Sequence, residues 1–191
     1  MPALLKELKD HLGPAQIELI GQKLNTTSMS ARNGLNLVLP ILIGGMAGKA
    51  LDETKVKQLY QALTADHNGS IFDNLTRFLS SHDFHSKNGI LPYLLEDRQS
   101  MVTHMVNEKS GLGEDLINQV MELSSVLLMG IVGKELRHHD YDTEGLTVFL
   151  QRASNQIAKN SPELYGKLNI LFQLEPAPKK KKFSFLSRKK K

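Results

Sequence analysis

The sequence predicts an all-α protein: a compact helical array built from two related halves, followed by a disordered basic C-terminal tail. Three observations support this. Apolar residues recur at three- and four-residue spacing along most of the chain, whereas sustained period-two alternation is lacking. An apolar segment with the same small residues occurs twice. The chain ends in a run of basic and aromatic residues. We therefore expect a helical domain over 1–174 and a proline-containing linker with a basic-aromatic tail over 175–191.

Two short helices are predicted at the N-terminus. Leucines at positions 4, 5, 8 and 12 would share one helical face, and Gly13-Pro14 would end that helix. Ile17, Ile20 and Leu24 indicate a second helix over 15–24.

A third, strongly apolar helix continues to about Met46. Ser28 or Ser30 is the predicted N-cap, because a serine hydroxyl can accept a hydrogen bond from the backbone of the first turn. Pro40 should either kink this helix or mark its first turn, because proline has no backbone N–H to donate.

The same arguments divide the rest of the chain into helices, turns and loops. In chain order we expect a helix over 53–66, a turn at Asn68-Gly69, a helical segment over 71–81, a polar loop over 82–89, helical segments over 90–111 and 114–139, and helices over 143–159 and 161–173.

The repeated segment suggests an internal duplication. "LPILIGGMAGKAL" at 39–51 aligns with "SSVLLMGIVGKEL" at 124–136, and both contain the pattern Gly-x-x-Gly-Lys. Glycines allow close backbone approach, so we expect these two helices to pack against each other as the centres of two related halves. The alternative is a chance likeness between two buried helices that end in lysine.

Several segments together resemble a known family. They are "NGLNLVLPILIGGMAGKAL", "DHNGSIFDNLTRFL", "NGILPYLLEDRQSMVTHMVNEKSGL" and "ELSSVLLMGIVGKEL", in this order. Over residues of about 12–150 the chain is similar to the bacterial family called domain of unknown function 937, to which YidB-like proteins are related. The resemblance implies a small, mostly helical bacterial protein and implies no activity. The family's middle is usually richer in glycine, and the basic tail is not one of its features.

The glycine-lysine segments do not match a phosphate-binding loop. That motif needs a glycine where Ile43 and Leu128 stand, and a serine or threonine where Ala50 and Glu135 follow the lysines. It also needs a turn between a strand and a helix, whereas these glycines fall inside predicted helices. Helix packing is the better explanation of both segments.

Candidate catalytic and metal-binding residues form no convincing set. His82, Asp83 and His85 could ligate a metal, together with His67 or His104, but they lie in a polar loop without i, i+4 spacing. No cysteine is present, and the serines lack the context of an activated nucleophile. We expect no catalytic residue, no cofactor and no metal. An uncharacterised enzyme or ligand-binding protein is kept as an alternative to the non-enzymatic function given below.

The expected location is the cytoplasm, with peripheral attachment to the inner face of the membrane. The N-terminus lacks the pattern of a signal peptide. The longest apolar run, over 37–47, contains proline and glycine and is shorter than the roughly 20 residues that span a bilayer.

The tail is the candidate binding segment. Residues 1–178 carry a net charge of −4, whereas the last 13 residues carry eight basic side chains and no acidic one. We interpret the chain as a non-enzymatic interaction or assembly module, able to form a homo-oligomer, whose tail docks on an anionic membrane surface. The alternatives are nonspecific nucleic-acid binding by the same tail, and docking on an acidic protein or a role in solubility. The predicted contact residues are Lys179, Lys180, Lys181, Lys182, Phe183, Phe185, Leu186, Arg188, Lys189, Lys190 and Lys191.

Overall fold

The computed structural model describes residues 4–81 and 90–174, which contain α-helices, two 3-10 turns and no strand. The all-α prediction is confirmed. The predicted loop over 82–89 and the predicted linker and tail over 175–191 lie outside the described residues. The helices are α1 (Leu4–His11), α2 (Pro14–Lys23), α3 (Ser28–Lys49), α4 (Glu53–Ala65), α5 (Leu75–Ser81), α6 (Leu91–Leu95), α7 (Gln99–Ser110), α8 (Glu114–His139), α9 (Thr143–Asn160) and α10 (Pro162–Phe172), and the 3-10 turns are Ser70–Phe72 and Glu96–Arg98.

Two long helices form the centre of the fold. Helices α3 and α8 contain 22 and 26 residues, and their middle portions are buried on nearly every side. A helix that is apolar around its whole circumference must be covered by other helices. Accordingly, α3 and α8 share the most extensive contact in the described structure, and shorter helices surround them.

Shorter helices from each part of the chain pack against the central helix of the other part. Helices α6, α9 and α10 from the C-terminal part pack against α3, whereas α1, α4 and the 3-10 turn at 70–72 from the N-terminal part pack against α8. Each part thus helps to cover the central helix of the other. A duplicated array would show this exchange, and the duplication itself stays a prediction.

The glycines of the repeated segment play a different role from the one expected. They do not draw α3 and α8 together. A Cβ atom on Gly48 would lie 2.7 Å from the carbonyl oxygen of Phe172 at the end of α10. A Cβ atom on Gly133 would overlap the carbonyl oxygen of His67, just after α4. The missing side chains therefore make room for the end of a helix from the other part of the chain.

Three local features correct the sequence-based expectations. Thr27, and neither Ser28 nor Ser30, is the N-cap of α3, because its backbone is extended and its hydroxyl accepts a hydrogen bond from the backbone N–H of Ser30 at 3.1 Å. Pro40 lies inside α3 and not in its first turn, which excludes the second of the two alternatives given for it. The segment predicted as one helix over 90–111 is divided into α6, a 3-10 turn and α7.

The predicted turn at Asn68-Gly69 is present and packs against α8. Gly69 has a φ of +88°, which glycine adopts without a steric penalty. The Asn68 side-chain oxygen accepts a hydrogen bond from the backbone N–H of Ser70 at 3.0 Å. A Cβ atom on Gly69 would lie 2.5 Å from the Cβ of Lys134, so the turn needs glycine for close contact as well as for its backbone conformation.

Helix α8 is long and apolar enough to cross a membrane by length and composition. Its most apolar window of 18 residues has a mean hydropathy of 1.5, and 72% of that window is buried inside the described structure. The central helix of a packed helical domain has the same properties, so this is weak support for a membrane span. This helix is longer than the apolar run over 37–47, which was the candidate span in the sequence.

Candidate functional site

Three cations surround one carboxylate at the C-terminal end of α3. The Lys49 Nζ lies 2.7 Å from the Glu96 Oε1, and the Lys55 Nζ lies 2.9 Å from the same oxygen. The Arg98 Nη1 lies 2.9 Å from the Glu96 Oε2. Both carboxylate oxygens therefore accept charge-assisted hydrogen bonds, which are stronger than bonds between neutral groups.

Four neighbouring elements position this cluster. Lys49 is the last residue of α3, and Lys55 lies in the first turn of α4. Glu96 and Arg98 belong to the 3-10 turn between α6 and α7. The Arg98 Nε donates a hydrogen bond of 2.7 Å to the carbonyl oxygen of Leu171, which attaches the end of α10 to the same turn.

The electrostatic environment of the cluster is strongly positive around Glu96. Hydrogen bonds from Lys49, Lys55 and Arg98 lower the pKa of Glu96 to about 2. The Lys49 side chain is only 6% exposed, so its charge needs a close partner. Its Nζ also lies 4.4 Å from the centre of the Tyr93 ring, a distance suited to a cation–π interaction.

A polar cleft of about 300 Å³ opens beside the cluster. Gly45, Gly48, Phe172 and Gln173 contribute to its walls, together with the charged side chains. Gly45 and Gly48 leave room for Phe172 at the end of α10, which therefore forms part of the cleft wall next to Lys49. An open cleft with lysine and arginine donors has the chemistry to accept an anionic group.

The equivalent lysine of the repeated segment has a different environment. The Lys134 Nζ lies 3.2 Å from the His11 Nε2 and 3.9 Å from the Glu7 Oε1, both on α1. Burial and the nearby Glu135 carboxylate raise the pKa of Glu7. Burial and the nearby Lys134 lower the pKa of His11. Lys134 thus has a looser ion pair than Lys49.

The tail residues from Lys179 to Lys191 lie outside the described residues, as do His82, Asp83 and His85. Over 4–81 and 90–174, no group of three His, Cys, Asp or Glu side chains is arranged to hold a metal ion.

The cluster is not predictable from the sequence, although one of its members belongs to a segment with a recognisable pattern. The lysine of "GGMAGKA" is Lys49, which was interpreted as a helix-end residue. The other signal was "EDR" at 96–98, a charged triplet directly after an apolar run. Nothing in the sequence alone indicates that these two segments meet.

The fold and the two central helices, which share a Gly-x-x-Gly-Lys pattern, define a small all-α protein. The chain belongs to the family described as bacterial protein of unknown function (DUF937), whose model matches residues 6–135. The resemblance found in the sequence is therefore confirmed, and the matched region includes both Lys49 and Glu96. No curated protein matches the chain. No solved structure matches it either.

Proposed function

We propose that this protein is a non-enzymatic interaction or assembly module that docks on an anionic membrane surface through residues 179–191. The observation that carries the proposal is the tail sequence "KKKKFSFLSRKKK". It places all eight basic residues of the tail around Phe183, Phe185 and Leu186, whereas residues 1–178 are net acidic. Attraction to a negative surface therefore falls to the tail, and the body is cytoplasmic and held at the inner face of the membrane.

The energies of lipid binding support a membrane rather than a purely electrostatic partner. Each basic residue near an anionic leaflet contributes on the order of 1 kcal/mol. Partial burial of each of the three apolar side chains adds roughly 1 kcal/mol. Even after the cost of ordering the chain, micromolar association is within reach. An electrostatic arm alone would not need "FSFLS" between its lysines.

The body ends close to where the tail begins. Leu174, the last described residue, is buried against the helical domain. Four residues separate it from Lys179, so the tail would hold the body near the membrane surface. Exposed apolar side chains on the body, such as Met29, Met101 and Ile170, are candidates for self-association once the local concentration is raised.

Nonspecific binding to nucleic acid is the second candidate function, because the same lysines could neutralise phosphates and the phenylalanines could stack on unpaired bases. Mainly electrostatic binding to duplex DNA would fall steeply with salt and would depend little on the apolar residues. Lipid binding would depend on both kinds of residue and would partly survive salt.

Co-sedimentation of the full-length protein with anionic and neutral vesicles tests this proposal. One variant replaces Phe183, Phe185 and Leu186 by alanine, and a second replaces Lys179 to Lys182 by glutamine. We expect both variants to lose most binding to anionic vesicles, and the alanine variant to keep its binding to duplex DNA in a fluorescence titration at two salt concentrations. Wild-type binding to nucleic acid alone would favour the second function, and equal binding by all three proteins would refute the role of the tail. Sedimentation velocity tests self-association.

A further inference from the structure

The cluster around Glu96 contains more positive charge than its ion pair requires. Lys49 is the buried member, and a single carboxylate is enough to compensate it. Lys55 and Arg98 have side chains that are 43% and 30% exposed, yet both also approach Glu96. An ammonium group has three N–H donors and a guanidinium has five, so both retain donors for a further acceptor. These additional cations border the cleft described above.

Two other carboxylates lie nearby, Asp52 in the lining of the cleft and Asp97 beside Arg98, and they make fewer ion pairs with the three cations than Glu96 does. The Asp52 Oδ1 accepts hydrogen bonds from the backbone N–H groups of Thr54 and Lys55, both at 2.9 Å, at the start of α4. Asp97 lies 3.3 Å from Arg98, but its side chain is 88% exposed to water. Glu96 is therefore the carboxylate on which the three cations converge.

The backbone of Glu96 provides an independent observation. Its φ of +54° and ψ of −127° are unfavourable for a residue with a side chain. Such strain persists where the surroundings hold it, and it is concentrated at functional sites. Here the strained residue presents its carboxylate to Lys49, Lys55 and Arg98 beside an open cleft.

We propose that this cleft binds a phosphate monoester or inorganic phosphate, whose oxygens accept hydrogen bonds from Lys55 and Arg98. A phosphate dianion suits two exposed cations, and arginine recognises phosphate with a fork of parallel donors. The buried charge of Lys49 adds attraction at short range, because the protein screens it less than water would. The inference goes beyond membrane docking by the tail, since it concerns the helical body. The phosphate could belong to a small soluble molecule or to a lipid headgroup.

Isothermal titration of the full-length protein with inorganic phosphate and glycerol 3-phosphate, in chloride buffer, tests the site. Lys55→Gln should weaken binding about tenfold, because it removes one charge-assisted hydrogen bond. Lys57→Gln is the matched control: it lies on the same helix, pairs with Glu53 and does not line the cleft. Both variants keep the basic tail, so phosphate binding by the tail cannot produce a difference between them.

Glu96→Gln should change the affinity for phosphate in the opposite direction. It removes the carboxylate that competes for the same donors, so phosphate should bind more tightly and should raise the melting temperature more than in the wild type. Weaker phosphate binding by a folded Glu96→Gln protein would contradict the proposal. If this variant does not fold, the comparison of Lys55→Gln with Lys57→Gln decides alone.

Vesicle binding distinguishes a site for soluble phosphates from a site for a lipid headgroup. Binding of the soluble phosphates that depends on Lys55 supports a site for free phosphate or a small phosphate ester. If they do not bind, stronger sedimentation with phosphatidic acid than with phosphatidylglycerol at equal surface charge, lost in Lys55→Gln, supports a headgroup site. The inference would be overturned if neither effect is observed, or if Lys55→Gln and Lys57→Gln bind phosphate and vesicles equally well. Because the tail is unchanged, either failure leaves the tail proposal to its own test.

Discussion

The two Gly-x-x-Gly-Lys segments share two glycines, a lysine and two leucines, and they have different surroundings. At the end of α3, Lys49 is buried, lies 2.7 Å from Glu96 and borders a polar cleft. In α8, Lys134 is 38% exposed, lies 3.9 Å from Glu7 and approaches His11. The Gly-x-x-Gly-Lys pattern is common to both helices, and the partners of its lysine come from the segments packed on each helix.

This comparison shows which features belong to the helices and which to their partners. In both helices the second glycine admits a backbone carbonyl from another part of the chain, His67 or Phe172. In both, the lysine reaches a glutamate from a distant helix or turn. Only around Lys49 do two further cations join the pair, because Lys55 and Arg98 occur on the elements that cover α3.

Substitution of the second glycine should have the largest effect. In Gly133→Ala the new Cβ would overlap the backbone oxygen of His67, and backbone cannot move as easily as a flexible side chain. We expect a loss of about 3 kcal/mol or more in the free energy of unfolding, against about 1–3 kcal/mol for Gly48→Ala. Urea denaturation measures both. As a control, Gly166→Ala meets no atom within 4 Å and should stabilise α10 by up to about 1 kcal/mol.

The second-largest effect should be the difference in stability between Glu96→Gln and Glu7→Gln, which each remove the anion paired with one of the two lysines. Glu96→Gln leaves the buried charge of Lys49 without its anion, and we expect a loss of about 2 kcal/mol in unfolding free energy. Glu7→Gln should change stability by less than about 0.5 kcal/mol, because its partner Lys134 is farther away and partly exposed. Equal losses in the two variants would show that the two ion pairs are energetically alike.

The two glutamates should also give opposite pH dependences. The pKa of Glu96 is lowered from 4.5 to about 2, so its contribution to stability is present above pH 4.5 and is lost as the pH falls towards 2. The pKa of Glu7 is raised above 4.5, so its contribution is present below pH 4.5 and is lost as the pH rises through the folded-state value.

Urea unfolding of the wild type, Glu96→Gln and Glu7→Gln over acidic to neutral pH measures these contributions as differences from the wild type. We expect the Glu96 difference to grow with pH and the Glu7 difference to shrink. Parallel curves would mean that the environments of the two carboxylates are equivalent.

Substitutions at the N-cap positions of the two central helices should have the smallest effects on stability. Helix α3 is capped by Thr27, whereas α8 starts after Gly113 without a side-chain cap. Thr27→Ala should cost about 1 kcal/mol, and Gly113→Ser should add a few tenths of a kcal/mol, roughly the advantage of serine over glycine at this position. Thermal unfolding would show both. A Gly113→Ser protein less stable than the wild type would rule out an N-cap role for this position.

Much of the fold was predictable because helical periodicity is local. The spacing of leucines near the N-terminus defined α1, and the apolar run to Met46 defined α3. The division between α6 and α7 was not predictable, because no glycine or proline marks Glu96. Its backbone conformation occurs together with ion pairs to Lys49 and Lys55, which lie more than 40 residues earlier in the chain.

The candidate site was less predictable than the fold for the same reason. Motif analysis located Lys49 and Lys134 but could not distinguish them, because the difference lies in side chains contributed by other elements. Similarly, Thr27 and the neighbouring Ser28 and Ser30 all have capping side chains, and only the extended backbone at Thr27 identifies the cap. The tail's binding role remains a sequence-based proposal.

The most direct test of the difference between the two lysine sites is a phosphate titration of the full-length protein, followed by the NMR signals of assigned lysine side chains. The cleft proposal predicts saturable changes at Lys49 and Lys55, with little change at Lys134. Changes of equal size at Lys49, Lys55 and Lys134, or changes confined to the tail lysines, would contradict it.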